Sequence, residues 1–368
     1  MRLRSQLLKC VVSTVLALSP AASAAPARPA VTKPPPPTPD PQFIPQPATS
    51  TDAPYSPQAL YPGGVVMPLY PAGSPHLNAE RVREAEQYTM TSGVSGRVQH
   101  IVNIHNPSIE IHRAEPAFNT GTTVIVAAGG GHNILFVGTE ATDLVPYFYD
   151  HGINTVILRN RLRSSGYDPS VEGVDDALQA IRLVRAHADA FEFDPDRIGI
   201  VGFSAGGELA AAAALRYGSH DREVKTEPFA AVSARPDFVG LFYPGPTPFA
   251  RGGTPTIPKD VAPCFIVCAG SGDRIHALWA NEFFAGLLGA GVPNLEMHIY
   301  GNGVHGNGIK DRWGTPFGSW PDRFIDWLRD LGFLQKRGLA TKAAQDVAAF
   351  VAKPPKPPRQ SKSDAPAR

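Results

Sequence analysis

Cysteine is nearly missing: three residues in 368. Cys10 lies in the first apolar stretch, while Cys264 and Cys268 share the run Pro-Cys-Phe-Ile-Val-Cys. If that run is a strand, their Cα atoms stand ~13 Å apart, beyond the roughly 7 Å that a disulfide can bridge. They read as small buried hydrophobes. No second Cys or His pair stands at zinc-like spacing, so no metal is expected. An excess of charge is missing too. The 34 Lys and Arg against 33 Asp and Glu leave +1, and no basic stripe interleaves with aromatics, which argues against nucleic acid as a partner. Internal repeats are also lacking.

Proline, by contrast, is abundant: 38 residues, mostly at the two ends, about twice the usual share. The first residues read as an export signal over 1–24. Arg2, Arg4 and Lys9 form a positive start, Cys10 to Leu18 a short apolar core, and Ala22-Ser23-Ala24 a cleavage site. That core is too short to span a bilayer, so a periplasmic or secreted protein without a membrane span is expected. Residues 25–93 read as a Pro-rich disordered spacer and lead-in, extended to about Pro71 because it offers too little apolar surface to offset its ordering entropy. Residues 339–368 read as a C-terminal extension, disordered from about 353.

The hydrophobic fraction of 43 % suffices for a core in the remaining region, 94–338. Arg97 to His105 and Ser108 to His112 suggest an antiparallel strand pair. Thr122 to Ala127, Asn154 to Leu158, Ile198 to Phe203, Phe238 to Tyr243, Cys264 to Ala269 and Leu295 to Tyr300 are short apolar runs, the pattern of strands buried on both faces. Between them, Val174, Ala177, Leu178, Ile181 and Val184 mark one helical face, as do Phe324, Trp327, Leu328 and Leu331 later. Ser319 is placed to cap that last helix and Gly332 to end it. Strands alternating with helices predict one α/β domain with a mostly parallel central sheet and helices on both faces.

The chemistry concentrates at Ile198-Gly199-Ile200-Val201-Gly202-Phe203-Ser204-Ala205-Gly206-Gly207. A strand runs into G-x-S-x-G and an Ala-rich helix follows, the context of a nucleophile elbow at Ser204. A serine hydroxyl needs a base to take its proton, and in this chain order the acid precedes the histidine. Among His220, His276, His298 and His305, only His305 stands in a Gly-rich loop directly after the last strand, at the edge where Ser204 must sit. By the same edge argument the acid is Asp273, in Gly270-Ser271-Gly272-Asp273. Asp237 precedes its strand and belongs at the opposite edge. Ala128-Gly129-Gly130-Gly131-His132 follows a central strand, where backbone amides can hold an oxyanion. The expected donors are Gly130, Gly131 and Ala205. No Gly-Lys-Ser/Thr or G-x-G-x-x-G accompanies these glycines, which argues against a phosphate loop. His132, His276, Trp279 and Trp313 are candidates to line the substrate pocket, although aromatics at such places often serve packing. Glu140, Asp175 and Asp176, on helices, read as solvated or structural.

From about Thr122 to Gly332 these motifs resemble bacterial acetyl esterases of the acetylxylan and feruloyl esterase type, within the α/β-hydrolase superfamily. Ala128-Gly129-Gly130-Gly131-His132 resembles that family's P-G-G-G-Y loop, and Asp194 to Gly207 its D-P-x-R-I-G-x-x-G-F-S-A-G-G block. Gly272-Asp273 and Val304-His305-Gly306 fall at its acid and base positions. The chain departs from the pattern at Ala128, His132, Arg274 and His276. The resemblance implies the α/β-hydrolase fold and cofactor-free hydrolysis of short acyl esters, often acetyl groups on carbohydrate. Two other functions share the fold. A prolyl-oligopeptidase-type peptidase usually needs a large N-terminal propeller, and here only a Pro-rich spacer and a short strand pair come first. A non-catalytic binding protein would lack an activated serine.

Overall fold

Side-chain parity decides this fold. Along each central strand, successive residues point to opposite faces of the sheet, and both faces are apolar. Ile125, Ala127, Ile198, Ile200, Val239, Leu241 and Ile266 belong to one core. Their neighbours Val124, Val126, Val201, Phe203, Phe242, Phe265 and Val267 belong to another. Each face must therefore be covered by helices.

The computed structural model describes residues 53–94, 96–223, 229–306, 308–309 and 315–353. All lie in one unit, Pro36–Arg368. Strands β1 (Val65–Pro68), β2 (Gln87–Met90), β3 (Val98–Val102), β4 (Ser108–His112) and β5 (Thr123–Ala127) come first. Then follow α1 (Leu144–Tyr149), β6 (Asn154–Arg159), α2 (Val174–Ala186), β7 (Ile198–Phe203), α3 (Ala205–Glu223) and β8 (Val239–Phe242). The chain continues through β9 (Cys264–Ala269), α4 (Arg274–Ala290), β10 (Glu296–Tyr300), α5 (Trp320–Asp330) and α6 (Lys342–Val351).

Eight strands form one sheet in the order β1-β4-β6-β5-β7-β8-β9-β10. From β6 to β10 every pairing is parallel, whereas β4 runs antiparallel to both β1 and β6. Helices α2, α3 and α4 pack on one face, while α1, α5 and α6 cover the other. Parallel strands with helical crossovers bring all the strand-to-helix loops to one sheet edge. The loops after β5, β7, β8, β9 and β10 meet there.

Three sequence expectations change. The pair proposed for 97–112 is not a hairpin: β3 pairs with β2 in a separate two-stranded sheet, and β4 joins the main sheet. The spacer reading fails from residue 53 onward. Tyr55, Leu60, Leu69 and Tyr70 are buried, and β1 adds a strand beside β4. The cause is a buried charge cluster that composition does not reveal. Glu110 accepts hydrogen bonds from the amides of Leu60 and Tyr61 and from the Arg159 guanidinium, which also bonds Glu86. The folded region thus begins well before Val94.

At the other end, Ser319 precedes α5 but makes no side-chain cap; its hydroxyl donates to the Pro316 carbonyl. The cap is Thr315, which accepts from the Gly318 amide one turn earlier. Gly332 does end the helix region, with φ 82°. Within the C-terminal extension, α6 buries Ala343 and Val347. The export signal and the tail beyond 353 lie outside the described residues, as does Trp313. Cys264 and Cys268 are free and buried. No helix among the described residues is long and apolar enough to cross a membrane.

Candidate functional site

Ser204 stands between β7 and α3 with φ 51°, a left-handed conformation that costs a non-glycine residue energy and that clusters at functional sites. The turn is possible because its neighbours are bare. A Cβ on Gly202 would lie 2.1 Å from the Gly206 carbonyl oxygen, and one on Gly206 would lie 2.0 Å from that of Ala127. Backbone faces backbone in both cases, so no side chain could move aside. Beneath the serine, α3 directs the positive end of its dipole at the hydroxyl.

The loops after β9 and β10 meet above it. Their pairing continues past the strand ends, with the Gly270 amide on the Tyr300 carbonyl and the Ser271 amide on that of Gly301. This register brings Asp273 and His305 together. His305 Nε2 lies 2.8 Å from Ser204 Oγ, and its Nδ1 lies 2.7 Å from Asp273 Oδ2. Asp273 occupies the N-cap position of α4, yet its side chain makes no cap hydrogen bond. Its second oxygen faces His276 Nδ1 at 2.5 Å. Burial pushes the Asp273 carboxyl up, but hydrogen bonds from His276 and His305 outweigh it and hold the group at about 2. A carboxylate that stays ionised is suited to accept an imidazole N–H and fix its tautomer.

After β5 the chain turns through Gly130 (φ 132°) and Gly131 (φ 62°). Among the described residues, the amides of Gly130, Gly131 and Ala205 have no hydrogen-bond acceptor. Gly131, Ala205 and Ser204 line an open cavity of about 450 Å³. The Gly129 amide is already committed, to Glu140 Oε2 at 2.7 Å.

The other predicted pocket residues divide. His132, His276 and Trp279 all line this cavity, with Arg163 and Glu208. His132 Nε2 faces Glu208 Oε2 at 3.0 Å, and the edge of Trp279 backs His276 at 5.2 Å. His298 lies on β10 against Glu296, away from the cavity. Asp237 takes the Ile198 amide and Arg185 at the start of β8, the opposite edge from Ser204.

Three contributors escaped the sequence reading. Glu140 sits on the wide turn Gly138–Thr142 and is buried, the structural rather than the solvated of its two expected roles. Besides the Gly129 amide, its carboxylate accepts the hydroxyl of Tyr243 at 2.8 Å. That hydroxyl in turn accepts the Gly308 amide, and the Tyr243 ring packs edge-on against His305 at 5.0 Å. Glu140 and Tyr243 therefore tie the glycine loop to the His305 loop. Tyr243 had one available signal, its place at the carboxyl end of a predicted central strand. Glu208 had a weaker one, four residues after Ser204 and so on the same face of the following helix.

Residues 110–240 match the BD-FAE family model. Several solved structures superpose on most of the chain. One is an acetyl ester-xyloside bifunctional hydrolase from Caldicellulosiruptor lactoaceticus, with TM-score 0.57, 23 % identity, and coverage of 73 % of this chain and 97 % of that one. Another is a thermophilic esterase, Est2, from Thermogutta terrifontis, with TM-score 0.53, 23 % identity, and coverage of 64 % and 91 %. The chain has the α/β-hydrolase fold. Within that fold Ser204 occupies the strand-to-helix elbow, and the glycine loop after β5 lies beside it. Among curated proteins, an acetylxylan esterase from Xylanibacter ruminicola is 22 % identical over 280 residues, covering 68 % of this chain. The match spans about half, 51 %, of that relative's length. The endo-1,4-beta-xylanase B of Butyrivibrio fibrisolvens is 28 % identical over 122 residues, 19 % of its length.

Proposed function

We propose that this α/β-hydrolase is a serine carboxylesterase that hydrolyses short acyl esters, acetyl esters first among them, through an acyl-serine intermediate. One observation carries the reading. A strained serine, an imidazole and an ionised carboxylate form a continuous hydrogen-bonded relay at the mouth of a cavity that also presents free amides.

Ser204 Oγ attacks the ester carbonyl as its proton passes to His305 Nε2. Asp273 orients the imidazole and stabilises the imidazolium. The amides of Gly130, Gly131 and Ala205 receive the oxyanion; one such donor typically lowers the barrier by about 2.7–4 kcal/mol. Collapse breaks the bond to the alcohol, which leaves with the proton from His305. Water then enters by the same route in reverse and releases the acid. No cofactor takes part in these steps. The names of the relatives, acetylxylan esterase and acetyl ester-xyloside hydrolase, favour a carbohydrate ester as substrate. Trp279 and His132 in the cavity wall supply a flat ring and a polar group for a sugar. The basic start, short apolar core and cleavage site of the first 24 residues favour export.

Purified protein is expected to hydrolyse p-nitrophenyl acetate faster than longer acyl esters and to release acetate from acetylated xylan. Ser204→Ala is expected to lower turnover by roughly 10³-fold or more. Undiminished hydrolysis in that variant would remove Ser204 from the reaction.

A further inference from the structure

Asp273 has two imidazole partners, where a serine relay requires one. Its Oδ2 serves His305 and its Oδ1 serves His276, three residues along at the first turn of α4. The two rings stack with centroids 3.8 Å apart and planes 24° from parallel, and Trp279 supports the outer ring. With Nδ1 directed at the carboxylate, His276 must donate there, because an ionised carboxylate only accepts.

We propose that His276 is a positioning residue for this reaction: it fixes the Asp273 carboxylate toward His305 and takes up part of its negative charge, so that turnover persists to lower pH than a carboxylate with one partner would allow. The proposal rests on the serine-relay reading above. A carboxylate bonded by one imidazole can pivot about its own axis, whereas a donor on each oxygen holds its plane. Each hydrogen bond to the ionised carboxylate also spreads its charge, which weakens its pull on a proton held by His305. The stacked ring limits rotation of His305 as well.

Other polar groups surround this pair. Tyr243 lies against His305 and carries Glu140 behind it. Cys268 on β9 feels the Asp273 charge, and Arg274 follows Asp273 in sequence. Arg163 and the His132–Glu208 pair line the same cavity. Substitution of His276 leaves all of these in place.

The test compares wild type, His276→Phe and His276→Asn, with kcat and KM for p-nitrophenyl acetate measured across pH. Phenylalanine keeps the stacking face and removes the donor; asparagine can set its amide nitrogen where Nδ1 stands. In His276→Phe, kcat is expected to fall about 5- to 50-fold with KM within about 2-fold, and the acid limb of kcat/KM to move up by about half to one pH unit. His276→Asn is expected to recover kcat to within about 3-fold of wild type. A wild-type kcat and acid limb in His276→Phe would overturn the proposal, as would a His276→Asn variant equally impaired. A second readout needs no turnover: the far-downfield proton resonance of His305 Nδ1–H, compared in Ser204→Ala with and without His276→Phe. A shifted resonance supports the role and an unmoved one opposes it, whatever becomes of the esterase reading.

Discussion

Glu140 offers a severe test, because it joins two loops that meet nowhere in the sequence. Its carboxylate is buried, 3 % exposed, and accepts the Gly129 amide at 2.7 Å and the Tyr243 hydroxyl at 2.8 Å. A hydrogen bond to a charged group contributes about 1.5–3 kcal/mol, and a buried donor left without its acceptor loses that and its desolvation besides. Glu140→Ala abandons both donors, so the expected loss of stability is about 3–6 kcal/mol. Glu140→Gln keeps one acceptor oxygen but turns an amide N–H toward the other donor, and the expected loss is about 1–3 kcal/mol. Urea unfolding with an unchanged slope measures both. Turnover should fall with stability, by roughly 10-fold or more, because the loop carrying Gly130 and the loop carrying His305 both lose an anchor. A Glu140→Ala protein less than about 1 kcal/mol weaker than wild type, with kcat intact, would refute the reasoning.

Two more predictions concern charge. Arg159 is fully buried between Glu86 and Glu110, and Arg159→Met would leave two carboxylates without their cation, at an expected cost of about 3–5 kcal/mol. Limited proteolysis should then cut first in the lead-in around Leu60 and Tyr61, whose amides Glu110 holds; unchanged protection would refute the anchoring role of the cluster. Asp273 sits below its ordinary value, at about 2. Its bonds therefore contribute stability above a pH of about 4 and lose it as pH falls through about 2, roughly 2 kcal/mol in all. Asp273→Asn should flatten that part of the acid-unfolding curve, and a curve of undiminished steepness would show the loss to originate elsewhere.

The difference between what the sequence disclosed and what it hid follows from where the information resides. Ser204 was legible because its motif is contiguous: Gly202 must clear the backbone of Gly206 four residues on, although the need for a bare Gly206 comes from the Ala127 carbonyl on the neighbouring strand. His305 and Asp273 were legible by one added rule, that parallel strands gather their carboxyl ends along one edge. That rule located two loops without any contact between them being known. Glu140, Tyr243 and the Glu110–Arg159 cluster obey no such rule. Glu140 and Tyr243 stand 103 residues apart, and Glu110 and Arg159 stand 49 apart. On a helix-period reading, a lone glutamate in a polar turn looks solvated, and only the fold reveals the two donors that surround it. The lead-in shows the same limit from the other side. Its prolines set the average composition, yet stability there depends on a few residues, Leu60, Leu69 and Tyr70, packed against a sheet whose position could not be known in advance.

His276 lies between these cases. It was legible as a departure from a family pattern and as a residue on the acid loop, which made it a candidate to line the substrate pocket but gave it no bond to the acid. The bond comes from a coincidence of two periodicities. Three residues along a helix from its N-cap return a side chain to the N-cap's own side, and β9 pairing with β10 carries His305 to that same side. A residue at 276 with a ring and a donor thus reaches the free oxygen of Asp273 and the face of His305 together. A leucine there could fill the space without bonding the acid, and a lysine could bond it without stacking. The geometry asks for an imidazole or an amide, and this is why the asparagine variant, rather than any larger or more hydrophobic replacement, carries the decisive comparison.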